Sequence, residues 1–261
     1  MELNQIRKTT SKIKKRFPWI PLNANFSSIL INDKFVMKNV LGDGNCQFRA
    51  IEEALKTTQH TQTTNITHKQ LRTLLAEKIL TLSENEFHNI LNTYILEKKN
   101  GDFVGNWDPL TTKTRVQLAN HIKKKGFHFQ GDHSTLSLLS RILHIDFIII
   151  QNDYTFFSIG SDNDQVILLY YDKNHTHYQL IGTRDARDPK YIKTIFSKQD
   201  SEIKLFQNRK YFFEYHIRYI KKLSDKPFTL NELCKSIEKN IYSRLSKNDK
   251  KIISTLCFNL I

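Results

Sequence analysis

The chain contains the stretch Leu41-Gly42-Asp43-Gly44-Asn45-Cys46-Gln47-Phe48-Arg49-Ala50, which places a cysteine between a glycine turn and a helix-like sequence. Its two glycines can adopt positive φ, and the Asp and Asn residues beside them favour turns and helix caps. Cys46 is therefore predicted in the first turn of a helix, where free N–H groups and the helix dipole stabilise an anion. This position predicts a lowered thiol pKa and a reactive thiolate. The alternative interpretation is a buried structural cysteine.

A nucleophilic cysteine requires a base, and His177 is the best placed of the ten histidines. Strands predicted over residues 166–171 and 176–181 form a β-hairpin, and His177 lies at the start of the second strand. A rigid sheet can present this ring to a cysteine that is distant in sequence, as Cys-His enzymes require. His175 and His177 share one strand face, but no third ligand stands at metal-site spacing nearby, so no metal site is predicted.

Three motifs together resemble the ovarian-tumour (OTU) family of cysteine proteases. Residues 42–50 are similar to the nucleophile motif of that family, and His177-Tyr178 is similar to its His-aromatic motif. The segment Gln130-Gly131-Asp132-His133-Ser134-Thr135-Leu136-Ser137-Leu138-Leu139-Ser140 resembles its central Gly-Asp-x-x-x-Leu helix motif. The resemblance covers about residues 35–183, with the motifs in the order of the family.

The resemblance implies an α+β, papain-like OTU fold, in which a small central β-sheet packs against helices. It implies that Cys46 attacks a peptide or isopeptide carbonyl after His177 accepts its proton, which gives a thioester that water hydrolyses. Asp43 is implied to shape the loop and to count among the catalytic residues, while Gly44 and Asn45 contribute to the oxyanion loop. The implied partner is ubiquitin, polyubiquitin or a ubiquitin-like modifier, and no cofactor is expected.

One position departs from the family pattern. Many relatives carry Asp or Asn two residues after the histidine to orient its ring, whereas this chain has Gln179. A neutral amide stabilises an imidazolium less than a carboxylate does. Three accounts stay open: Gln179 orients His177 weakly, Asn174 or Asp172 takes its place, or the enzyme is slow.

The charge of the chain predicts how it is organised. The net charge is +14, of which residues 1–16 carry +5, residues 17–183 carry zero and residues 184–261 carry +9. We therefore predict a basic arm or helix over residues 1–24, an OTU-like domain over 25–183 and a basic, mostly helical extension over 184–261. The alternative function is a catalytically weak OTU-like module whose basic flanks bind nucleic acid or an acidic partner.

The three cysteines, at positions 46, 234 and 257, do not suggest a disulfide framework. No apolar run reaches the roughly 18 residues of a membrane span, and the first residues do not resemble a signal peptide. The expected location is the cytoplasm, or a host cytoplasm if the chain comes from a virus or a bacterium.

Hydrophobic periodicity predicts helices that precede a run of strands, which is typical of the α+β class. The predicted helices cover residues 46–56, 69–82, 84–98, 113–124 and 134–143. The predicted strands cover residues 34–40, 145–151, 155–159, 166–171 and 176–181. Residues 100–129 are interpreted as an insertion that either forms a substrate-binding lobe or elaborates the surface.

Overall fold

The structure is a computed structural model that describes residues 17–22, 34–57, 66–151, 156–185, 188, 190–204 and 206. The basic arm over residues 1–16 and the whole of the extension beyond residue 206 lie outside the described residues. Cys234 and Cys257 lie outside them as well. The prediction of helix is wrong for residues 192–193 and 195–197, which form strands, and it stays a prediction for the flanking residues outside the described part of the chain.

Five α-helices precede the main run of strands within the described residues. They are α1 Cys46–Thr57, α2 His68–Leu80, α3 Glu84–Asn100, α4 Arg115–Lys123 and α5 His133–Leu143. The last four begin with reciprocal capping boxes, in which an N-cap side chain and the residue three positions later satisfy each other's backbone N–H groups. These local signals explain why the helix bounds lie within about two residues of those predicted from sequence.

Eight strands form one mixed sheet within the same residues. They are β1 Trp19–Pro21, β2 Phe35–Lys38, β3 Ile145–Gln151, β4 Phe156–Ile159, β5 Gln165–Asp172, β6 His177–Arg184, β7 Ile192–Lys193 and β8 Ile195–Ser197. The order is β1-β2-β6-β5-β3-β4, with β7 paired to β6 and β8 paired to β5. β3 and β5 run parallel, whereas β5 and β6 form the predicted antiparallel hairpin. The α+β fold is confirmed.

Both faces of the sheet are buried, and alternation along β6 assigns the residues of that strand to them. Tyr178 and Leu180 belong to the larger core, which also contains the buried side chains of α1 to α5. Ile181 belongs to a second cluster on the opposite face, together with Leu22 and Phe206. A strand that is covered on both sides reads as a nearly continuous apolar run, as β3 and β5 do here.

The sheet does not end at the boundary that the charge pattern predicts near residue 183. Strands β7 and β8 extend it through residue 197, and Ile203 is buried against its second face. At the other end, β1 pairs with β2, although it lies in the predicted N-terminal arm. Charge patterning therefore places these two boundaries inside the folded body, because strand pairing does not require a change in net charge.

Residues 100–129 are not merely a surface elaboration, because their aromatic side chains enter the main core. Trp107 and Phe129 are buried, and the Trp107 ring contacts Tyr94 of α3 edge to face at 5.3 Å. The segment ends with a single 3₁₀ turn, Gly126–His128, whose backbone approaches the loop before α1. Residues 100–129 therefore pack against the loop before α1, and their interpretation as an insertion stays a prediction.

Candidate active site

The nucleophile loop, residues 42–45, delivers Cys46 to the first position of α1. Gly44 has φ of +76°, a conformation that side chains other than glycine rarely adopt. A Cβ atom at Gly44 would lie 2.4 Å from the carbonyl carbon of Gly126 and 2.5 Å from the nitrogen of Phe127. The loop can therefore pack against the 3₁₀ turn only with glycine at this position.

Asp43 closes the nucleophile loop and ties it to α1. Its carboxylate accepts hydrogen bonds from Nε and Nη2 of Arg49 at 3.1 and 2.6 Å, and from the backbone N–H of Asn45 at 3.1 Å. Burial raises the pKa of Asp43, but the hydrogen bonds and charge of Arg49 outweigh this effect and lower the pKa overall. The carboxylate therefore stays ionised and fixes the conformation of the loop. This is the structural role that the family resemblance implies for Asp43.

Asn45 is buried, and its polar groups bond to the loop itself, to α2 and to the 3₁₀ turn. Its N–H donates to Asp43, and its Oδ1 accepts from Nε of Arg72 at 3.0 Å and from the N–H of Gly126 at 3.3 Å. An N–H that is already bonded to a carboxylate cannot point at a substrate oxyanion. The backbone N–H of Asn45 is therefore engaged by Asp43, and the assignment of Gly44 to the oxyanion loop stays a prediction.

Cys46 is only 6% exposed, and the backbone N–H of Tyr178 donates to its Sγ at 3.5 Å. Burial raises the pKa of the Cys46 thiol, and the N–H groups of Tyr178, Gln47 and Cys46 itself oppose this effect only in part. The prediction of a lowered thiol pKa is therefore wrong for this structure. Desolvation of the thiolate outweighs the favourable helix end.

His177, the first residue of β6, lies beside the nucleophile loop. Its ring atoms Nδ1 and Cε1 lie 3.7 Å from the position that a Cβ atom would take at Gly42. Its Nε2 lies 2.8 Å from Oδ1 of Asn39. Burial lowers the pKa of His177, so the ring is neutral near pH 7 and able to accept a proton.

The hydrogen bonds of Asn39 determine the tautomer of His177. Oδ1 of Asn39 also accepts the backbone N–H of Val40 at 2.8 Å, so this side-chain atom is an oxygen and not the amide nitrogen. Nε2 of His177 must therefore carry the proton that it donates to Asn39. Nδ1 keeps its lone pair and is free to act as a base.

The residue that contacts His177 is Asn39 and none of the candidates from sequence, which are Gln179, Asn174 and Asp172. β2 and β6 pair antiparallel, with Lys38 opposite Leu180. Extending this register by one residue places Asn39 opposite Gln179, on the strand face that also carries His177. The polar residue that contacts the ring therefore comes from the neighbouring strand.

Two of the other predicted candidates interact with each other. Oδ1 of Asp172 accepts the backbone N–H of Asn174 at 3.0 Å, and its Oδ2 lies 2.6 Å from Nδ1 of His175. His175 and His177 thus have different partners, and the described residues contain no group of His, Cys, Asp and Glu side chains arranged to hold a metal ion.

The central motif holds the residue that follows the nucleophile. Nε2 of Gln47 donates to the carbonyl of Asp132 at 2.9 Å, and Oε1 of Gln47 accepts from the hydroxyl of Thr135 at 2.7 Å. A Cβ atom at Gly131, two residues before α5, would lie 2.0 Å from Oε1 of Gln47. Glycine at this position therefore leaves room for the Gln47 side chain. The three motifs therefore meet around the first turn of α1.

Comparisons with known proteins identify the family of the chain. The family model described as OTU-like cysteine protease matches residues 41–241. The protein named "Putative ubiquitin thioesterase 232R" of Invertebrate iridescent virus 3 is 28% identical over 174 residues. That match covers 65% of this chain and 18% of the viral protein, so the chain corresponds to a small part of that relative.

Several solved structures are similar at a greater distance. An OTU domain in complex with ubiquitin is 18% identical, with a TM-score of 0.45 over 71% of this chain and 85% of the other. An OTU deubiquitinase from Wolbachia pipientis wMel is 15% identical, with a TM-score of 0.38 over 68% of this chain and 98% of the other.

No helix in the described part of the chain is long and apolar enough to cross a membrane. The match of the family model does not favour the alternative of a nucleic-acid-binding module, and most of the basic flanks lie outside the described residues. Because the family model spans well over half of the chain and includes the segments that carry Cys46 and His177, this protein belongs to the family of OTU-like cysteine proteases.

Proposed function

We propose that the protein is a thiol hydrolase that cleaves peptide or isopeptide bonds at the C-terminus of ubiquitin. The single observation that carries this proposal is the position of the His177 ring, oriented by Asn39, beside the glycine loop that leads into Cys46. Ubiquitin is proposed as the substrate because the viral relative is named as a ubiquitin thioesterase.

In the proposed reaction, Nδ1 of His177 accepts the proton of the Cys46 thiol while Sγ attacks the substrate carbonyl. The resulting imidazolium donates that proton to the leaving amine, and a thioester remains on Cys46. His177 then accepts a proton from water, which attacks the thioester and releases a carboxylic acid and the thiol. Because burial raises the pKa of Cys46, the resting thiol is proposed to keep its proton until His177 accepts it as Sγ attacks.

The oxyanion of each tetrahedral intermediate is proposed to accept hydrogen bonds from the backbone N–H groups of Gly44 and Cys46. Asn45 does not take part, since its N–H is bonded to Asp43. Donors of this kind accelerate acyl transfer because they are already oriented where negative charge develops.

The test uses ubiquitin with a thiol-reactive electrophile in place of its C-terminal carboxylate. Wild-type protein should gain the mass of one ubiquitin, and the Cys46→Ala variant should gain none. Ubiquitin-like modifiers with the same electrophile are compared in parallel, because they share the type of C-terminal tail.

A folded wild-type protein that forms no adduct with ubiquitin would contradict the proposal if iodoacetamide still alkylates Cys46. Adduct formation with a different modifier alone would reassign the substrate and leave the mechanism intact.

A further inference from the structure

Arg72 of α2 is buried directly behind the nucleophile loop, with only 1% of its surface exposed. Its guanidinium carbon lies 4.3 Å from the centre of the Phe48 ring. All five of its N–H donors are used, and their acceptors are Oδ1 of Asn45 at 3.0 Å and the carbonyls of Gly44 at 3.2 Å, Ile122 at 2.9 Å, Lys124 at 3.2 Å and Phe129 at 2.7 Å. The side chain therefore joins the nucleophile loop to the inserted segment.

Every one of these acceptors is neutral, although a buried charge is usually paired with an opposite one. The nearby carboxylate of Asp43 is bonded to Arg49 instead. Burial lowers the pKa of Arg72 to about 10, so the group still carries its charge at neutral pH. Ionised Asp43 and Cys46 both favour that charge, which means that the Arg72 guanidinium and a Cys46 thiolate stabilise each other.

An arginine in this setting is a poor choice for stability alone, because an apolar side chain of similar volume would avoid the cost of desolvation. We therefore infer that Arg72 serves to fix the backbone groups that accept its hydrogen bonds. Its planar fork fixes several acceptors at defined angles, which lysine cannot do.

The peptide unit between Gly44 and Asn45 is held by hydrogen bonds to Arg72 and to Asp43. Its carbonyl oxygen accepts from Arg72 on one side, and its N–H donates to Asp43 on the other. A planar unit that is bonded at both ends cannot rotate without breaking both bonds. The backbone that leads directly into Cys46 is fixed as a result.

We propose that Arg72 is a positioning residue that locks the Gly44–Asn45 peptide, and with it the N–H groups around Cys46, while its unpaired charge favours the thiolate and the oxyanion. This inference rests on the proposed function of Cys46 as the nucleophile. Arg72 acts through the loop and does not touch the substrate.

Two variants separate geometry from charge. Arg72→Met removes the hydrogen bonds and the charge, whereas Arg72→Lys keeps the charge and loses the planar fork. Leu75→Ala is the matched control, because Leu75 is fully buried on the same helix and its truncation lowers stability without changing the hydrogen bonds of the loop.

The first measurement is the rate of Cys46 alkylation by iodoacetamide between pH 5.5 and 10, which needs no ubiquitin. For Arg72→Met we expect an alkylation midpoint at higher pH and a rate at pH 7 that is about 10-fold lower, since one pKa unit is a factor of ten in thiolate. For Arg72→Lys and Leu75→Ala we expect the wild-type midpoint.

The second measurement is the turnover of ubiquitin that carries a fluorogenic C-terminal amide. We expect kcat to fall about 100-fold in Arg72→Met and about 10-fold in Arg72→Lys, with KM within about 3-fold of wild type, because misplaced oxyanion donors act on the transition state. Leu75→Ala should keep its kcat when corrected for the folded fraction.

A folded Arg72→Met variant with the wild-type midpoint and kcat would overturn the proposal. If Arg72→Met does not fold, the kcat of Arg72→Lys tests the proposal. An unchanged kcat in Arg72→Lys would exclude the positioning role. If wild-type protein does not process ubiquitin, the proposed function fails, and the alkylation profile still tests Arg72.

Discussion

Replacing Asn39 with alanine tests the orientation of His177 most directly. The change removes the acceptor 2.8 Å from Nε2 and leaves the proton of that nitrogen without a protein partner. One neutral hydrogen bond contributes about 1 kcal/mol, or roughly 5-fold in rate. A ring that can rotate or change tautomer loses further rate, because misplacing a reacting group by about 1 Å costs on the order of 100-fold.

We therefore expect kcat to fall about 10- to 100-fold in Asn39→Ala, with KM nearly unchanged because Asn39 is not proposed to contact the substrate. Turnover of ubiquitin with a fluorogenic C-terminal amide measures both constants. Thermal unfolding provides the correction for stability, since the variant also loses the hydrogen bond from Val40.

Gln179→Ala is the matched comparison, because Gln179 is one of the orienting candidates that the sequence leaves open and lies opposite Asn39 in the extended register of β2 and β6. Its kcat should stay within about 3-fold of wild type. Wild-type kcat in Asn39→Ala together with a large loss in Gln179→Ala would refute the reasoning.

Three further predictions concern the surroundings of the site. Gly44→Ala should lower the free energy of unfolding by about 1–3 kcal/mol or more and abolish turnover, because its Cβ atom would overlap the backbone of Gly126; urea unfolding and activity measure both effects. Gln47→Met should cost about 1–3 kcal/mol in urea unfolding, since it removes two buried hydrogen bonds while the Asp132 carbonyl and the Thr135 hydroxyl stay bonded to each other, and a loss below about 0.5 kcal/mol would contradict this. Burial and then nearby Asp132 raise the pKa of Glu97 to about 7 from an ordinary value of 4.5, so the folded chain loses stability as the pH rises through that window. At pH 8, Glu97→Gln should therefore have a free energy of unfolding about 1 kcal/mol higher than wild type after allowance for solvent screening, and a higher melting temperature. At pH 4 the two proteins should unfold at the same temperature. A larger stabilisation at pH 4 than at pH 8 would contradict this account.

The sequence alone predicts helices α1 to α5 and strands β2 to β6 to within a few residues, whereas it does not predict β1, β7 and β8. Each element has its own signals, such as the capping box before α3 and the apolar run of β3. It also identified the three motifs that meet at the first turn of α1, because Cys46, Gly131 and His177 are each embedded in a local pattern. Their catalytic roles stay predictions until the variants are measured.

The tertiary structure decided what depends on contacts between distant segments. Asn39 reaches His177 because β2 and β6 pair in one register, and Arg72 meets the nucleophile loop because α2 packs beneath it. The pKa of Cys46 is raised because the fold removes water from the thiol, although the helix end by itself would lower it. Local sequence specifies backbone conformation through nearby side chains, whereas burial, charge and hydrogen-bond partners arise only when the chain closes on itself.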